Sequence, residues 1–112
     1  MLKIQHRANS LKKLEDLDQN FGVEIDIRSF NKKLVLNHEP FKKAVLLNSY
    51  LKKFNHKFLI LNVKEEGIEN LILNYVKKFK INNYILLDVT VPKIFQLIKN
   101  NNCFLFHDVN LY

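Results

Sequence analysis

Cysteine occurs once, at Cys103, and tryptophan is absent. A lone thiol excludes both a disulfide framework and a cysteine-built zinc site within one chain. Long apolar runs are missing as well, since none approaches the ~20 residues that a membrane span requires. The first apolar run begins almost at Met1 and reaches His6 at once. That leaves no stretch for a secretory leader, so the expected setting is cytoplasmic, with no membrane span. Glycine and proline number two each in 112 residues. No linker, repeat or low-complexity tract divides the chain, which reads as one domain, 1–112, able to bury a single modest core.

Lysine is what the chain has in excess. The formal charge is +7, and sixteen of the eighteen basic residues are lysines. Most stand in scattered pairs, such as Lys12-Lys13, Lys32-Lys33, Lys52-Lys53 and Lys77-Lys78. A surface that tracks a nucleic-acid backbone would gather them into one stripe with interleaved aromatics. Nucleic acid is therefore not an expected partner. A hydrophobic content of 47% with 12% aromatics fits a globular fold.

Apolar runs recur at 2–6, 23–27, 34–36, 58–63, 84–89 and 103–106, and each reads as a strand. Helical spacing fills most of the intervals. Residues 44–54 form one such segment. In 65–80, Ile68, Leu71, Ile72, Tyr75, Val76 and Phe79 follow the i, i+3, i+4, i+7 rule. A third helix is expected after Pro92, whose missing N–H costs nothing in a first turn. Strands alternating with helices imply parallel pairing and an α/β fold. The exception is the link SFNKK, too short for a helix.

Polar residues gather where the strands end. His6-Arg7 closes the first run, Glu24 and Asp26 interrupt the second, and His38-Glu39 closes the third. Alternation places Glu24, Asp26 and Arg28 on one face of their strand, with Val23, Ile25 and Ile27 on the other. In the fourth strand Asn62 and Lys64 are separated from Leu59, Leu61 and Val63 in the same way. Two carboxylates this close repel each other unless a cation lies between them. Hard oxygen ligands suit Mg²⁺ or Ca²⁺ better than zinc. The same pair also fits exposed charge on an edge strand. Imidazole as a type titrates near neutrality, which suits two histidines to acid and base roles. Arg7 and Lys64 offer positive charge for a phosphate, or alternatively salt-bridge partners for the carboxylates. His56, in FNHK, reads as a surface residue, and His107-Asp108 is left out of the site.

HRAN, GVEIDIRS and LVLNHEPF, in this order and spacing, resemble the opening of the glycerophosphodiester phosphodiesterase family, within the phosphatidylinositol-phospholipase-C-like phosphodiesterases. His6-Arg7, Glu24-x-Asp26 and His38-Glu39 match its motifs one by one. Asn62-x-Lys64 stands where the family has Glu-x-Lys. The similarity is strongest over residues 4–64. The resemblance implies a parallel (β/α) TIM-barrel-like fold, truncated to about five or six of the eight strands. It implies a metal-dependent hydrolase of a small glycerophosphodiester-like substrate, with His6 and His38 as the catalytic pair. Mg²⁺ or Ca²⁺ would be held by Glu24, Asp26 and Asn62, and the phosphate by Arg7 and Lys64. Open barrel edges would favour self-association. The reading from another class is a non-catalytic remnant of that family, binding an anionic ligand or a partner chain.

Overall fold

The computed structural model describes residues 2–38 and 44–87. Expectations at Glu39, the end of the 84–89 run, the helix after Pro92, the strand 103–106 and His107-Asp108 lie outside them. The elements run β1 (Ile4–Gln5), α1 (Leu11–Asp16), β2 (Gly22–Phe30), β3 (Lys33–Leu36), β4 (Val45–Leu46), α2 (Leu47–Lys53), β5 (Phe58–Val63), α3 (Glu69–Lys78) and β6 (Tyr84–Leu87). They build one sheet in the order β4-β3-β2-β5-β6, with β1 attached to β2.

The barrel expectation is overturned. β2 pairs in parallel with β1 and β5, and β5 with β6, whereas β3 runs antiparallel to both β2 and β4. The sheet is mixed and, among the described residues, open. The cause lies in SFNKK. Phe30 pairs directly with Lys33, so Asn31 and Lys32 alone make the turn, both with positive φ (50° and 64°). That is the backbone of a primed two-residue hairpin turn, whose twist matches the flanking strands and sends the chain back on itself. A hairpin cannot place the next strand parallel. Val45 and Leu46 also leave the expected helix and pair with Leu36 and Val35 as an edge strand.

Strand alternation sets where the core lies. Val23, Ile25 and Ile27 of β2 join Leu34 and Leu36 of β3, Leu59, Leu61 and Val63 of β5 and Leu86 of β6 in one buried cluster. The helices cover that face with Leu14 from α1, with Leu47, Tyr50 and Leu51 from α2, and with Ile72, Leu73 and Val76 from α3. Ser10 caps α1 by accepting from the Lys13 N–H. α3 ends in a Schellman turn: Lys80, at φ 56°, donates to the Lys77 carbonyl and Ile81 to that of Val76. No helix of the described residues is long and apolar enough to cross a membrane.

Tyr50 ties the helical layer to the first loop. Fully buried, it donates to the Ala8 carbonyl at 2.7 Å, and burial pushes its hydroxyl above the ordinary tyrosine range. Tyr50→Phe should cost about 1–3 kcal/mol near neutral pH, because a buried carbonyl loses its donor. That deficit should shrink as pH rises above about 10, where unfolded wild type releases the Tyr50 proton and the folded protein keeps it. Urea midpoints of both proteins at pH 7 and near pH 11 measure the difference. A deficit that does not shrink contradicts the assignment.

Candidate functional site

The edge of β2 that faces away from β5 changes partner halfway. Gly22 and Val23 pair with β1, whereas Ile27 to Phe30 pair with β3. Glu24, Ile25 and Asp26 lie between the two, and loop groups complete their ladder. Ala8 N–H donates to the Glu24 carbonyl at 2.8 Å, and Asn37 N–H to the Asp26 carbonyl at 3.0 Å. The Asp26 N–H donates to a side chain, the Asn9 Oδ1, at 3.0 Å. The loops after β1 and β3 are thereby drawn to one point on β2, bringing His6 and His38 with them.

Each carboxylate there meets one histidine. His6 Nδ1 lies 2.6 Å from Glu24 Oε1, which also accepts the Arg7 N–H at 3.3 Å. With Nδ1 engaged by Glu24, the other ring nitrogen, Nε2, is left turned away from the carboxylate. The His6 ring is 68% exposed, while Glu24 and Asp26 are buried. His38 Nδ1 lies 3.8 Å from Asp26 Oδ2, and Lys64 Nζ lies 3.7 Å from Oδ1. Asn9 Nδ2 donates to Asp26 Oδ2 at 2.9 Å. A carboxylate at 1% exposure needs such a shell of donors to offset the loss of its hydration.

Asn62 is the register partner of Asp26 on parallel β5, so both point to the same face. Its Oδ1 is buried and accepts no hydrogen bond from the described residues. A buried amide oxygen level with Asp26 on the neighbouring strand is of the donor type that a hard divalent cation takes. Among the described residues no group of three or more His, Cys, Asp or Glu side chains is placed to hold a metal. The third ligand here would be an amide.

The structure thus brings Glu24, Asp26, His6, His38, Lys64 and Asn62 to one region of β2 and β5. Arg7 contributes its N–H, at a positive φ of 50°, and its side chain is exposed. His38 does not arrive by continuing its strand. Leu34 and Leu36 face the helices, and the chain bends at His38 itself, where the ring comes to Asp26. Three contributing residues were not singled out from the sequence. Asn9 is one, although it sits inside HRAN. Arg28 is another, sharing the face of Glu24 and Asp26 and donating from Nε and Nη2 to the His38 carbonyl at 3.1 and 2.8 Å. Tyr50 is the third, signalled by a phenol on an apolar helix face that needs a partner. His56 stands apart, half-buried, with Nε2 2.9 Å from the Leu17 carbonyl. No protein-family model, curated protein or solved structure matches the chain.

Gly22 sets how closely β1 approaches. A Cβ there would collide with Ile4 Cδ1 and lie 3.2 Å from the Phe58 carbonyl. The Ile4 tip can swing aside, but the carbonyl belongs to a paired strand. Gly22→Ala should cost about 1–3 kcal/mol by overpacking and shift the His6 ring resonances as β1 moves off. Unchanged NMR shifts at His6 together with an unchanged urea midpoint would show that the approach is not tight.

Proposed function

We propose that the site hydrolyses a phosphodiester of the glycerophosphodiester type by proton transfer between two histidines. The observation that carries this reading is the pairing of each imidazole with its own carboxylate on one strand face, His6 with Glu24 and His38 with Asp26. Residues two apart on a strand are separated by about 7 Å, a spacing that would admit a group of phosphate size between the two imidazoles. His6, held at Nδ1 by Glu24, takes the proton of a nucleophilic hydroxyl at Nε2. The hydroxyl oxygen bonds to phosphorus as the bond to the leaving oxygen breaks, His38 gives its own proton to that alkoxide, and attack by water on the new diester, with the two histidines in exchanged roles, completes the hydrolysis. Arg7 and Lys64 bear on the non-bridging oxygens. Glu24, Asp26 and the Asn62 amide oxygen would hold Mg²⁺ or Ca²⁺, which supplies Lewis-acid stabilisation of the charge developing on phosphorus-bound oxygen. The resemblance of HRAN, GVEIDIRS and LVLNHEPF to that family supports the same chemistry, and a cytoplasmic setting goes with it. Self-association belongs to the proposal as well, through the β4 edge, where Leu46 is exposed.

A second reading has its own observation. Asn62 is neutral, and the Lys64 ammonium already lies 3.7 Å from Asp26, an arrangement suited to holding an anionic ligand without turnover.

His6→Ala and His38→Ala should each lower hydrolysis of a glycerophosphodiester by roughly 10²–10⁴-fold. Turnover equal to wild type in either variant overturns the mechanism, and binding of the diester without turnover in wild type selects the second reading. Asn62→Asp should tighten Mg²⁺ or Ca²⁺ binding, since it adds a charged ligand to the set. Calorimetry finding that the substitution leaves affinity unchanged or weakened places position 62 outside any cation site.

A further inference from the structure

The two histidines are placed in different ways. His6 is held by its own ring, with Nδ1 2.6 Å from Glu24 Oε1. His38 Nδ1 lies 3.8 Å from Asp26 Oδ2, too far for a hydrogen bond. Its ring is 44% exposed and so gains little orientation from packing. His38 is fixed instead through the main chain on either side. Before it, the Asn37 N–H donates to the Asp26 carbonyl at 3.0 Å. After it, Arg28 donates to the His38 carbonyl from Nε at 3.1 Å and from Nη2 at 2.8 Å. Two donors of one planar guanidinium, converging on one oxygen, set direction as well as distance. Arg28 stands two residues beyond Asp26 on the same face of β2, so the fork and the carboxylate share one strand.

We infer that Arg28 is a positioning residue for His38, acting on the proton that is given to the leaving oxygen. The inference rests on the two-histidine reading proposed above and requires no cation. In that reaction the leaving oxygen takes the electron pair of its bond to phosphorus and a proton from His38. An alkoxide needs that proton as the bond breaks, whereas p-nitrophenolate departs without it. An acid misplaced by about 1 Å can cost roughly 100-fold in rate. Loss of the Arg28 fork should therefore be felt according to how basic the leaving oxygen is. Lysine in its place keeps the charge but is a point donor, with no fork to set direction.

The test follows release of the leaving alcohol in single turnovers from two diesters of glycerol phosphate, one with ethanol and one with p-nitrophenol. Wild type, Arg28→Met, Arg28→Lys and His38→Ala are compared, each with a urea midpoint and its histidine ring resonances by NMR. Arg28→Met should slow ethanol release by about 10–100-fold. Its p-nitrophenol release should stay near wild type, with the half-saturating concentration unchanged. His38→Ala should show the same selectivity, and Arg28→Lys an intermediate loss. In Arg28→Met the His38 ring resonances should shift, while those of His6, tied to Glu24, stay in place. A merely structural Arg28 would slow both diesters alike and move both rings. Equal slowing of the two diesters in Arg28→Met, or unaltered ethanol release, overturns the inference and leaves the two-histidine reaction standing. A rise in half-saturating concentration alone overturns it too, since Arg28 would then be binding the phosphate. A folded wild type that releases neither alcohol overturns both. Should Arg28→Met fail to fold, the same comparison on Arg28→Lys decides.

Discussion

A buried strand must pair every backbone N–H and C=O on both edges, and β2 meets that demand with partners of opposite direction on the same edge. β1 arrives parallel and β3 antiparallel, and neither extends over Glu24 to Asp26. The interval is completed by Ala8, Asn37 and the Asn9 side chain. Loops that might otherwise have run over the surface are thereby pinned to the centre of the sheet. Tyr50 from below and Arg28 from the side hold the same two loops. The histidines take their places because the backbone has to be satisfied there.

Much of this was legible in the residues. The alternation of Val23, Ile25 and Ile27 against Glu24, Asp26 and Arg28 sorts the faces of β2 correctly, and the spacing in 65–80 encloses α3 within two to four residues at either end. Direction was not legible in the same way. Parallel pairing follows from helices between strands, and the one link without a helix, SFNKK, was the place to expect reversal. The signal was weak because Asn31-Lys32 lacks the glycine that usually marks a primed turn. β4 was hidden because Val45 and Leu46 satisfy a helical pattern as readily as a two-residue edge strand. Asn9 could not be read from patterning at all, since its role depends on a gap between two strands distant in sequence.

Charge at the site follows from burial rather than from the net charge of the chain. Asp26 and Glu24 are withdrawn from water, and each would be costly without donors. Asp26 meets that cost with Asn9, its neighbours Lys64 and His38, and Glu24 with His6 and the Arg7 N–H. Of the described lysines, Lys64 is the one that reaches these carboxylates, and its ammonium is partly sheltered. The many paired lysines elsewhere therefore say little about the site, whereas one placed at the end of β5 says a good deal.

The hairpin that breaks the parallel pattern also builds the site. Had a helix linked β2 to β3, the next strand would have continued the sheet in parallel, and the third run would have ended at the same rim as the second. Instead the turn at Asn31-Lys32 returns the chain along β2, so that residues after Leu36 come back level with Asp26. Because Leu36 faces the helices, a straight continuation would have carried His38 to that same side. The bend at His38 breaks that continuation, and Arg28 holds the His38 carbonyl once there. The departure from the expected fold and the meeting of His38 with Asp26 therefore have one cause, a two-residue turn followed by a fixed bend.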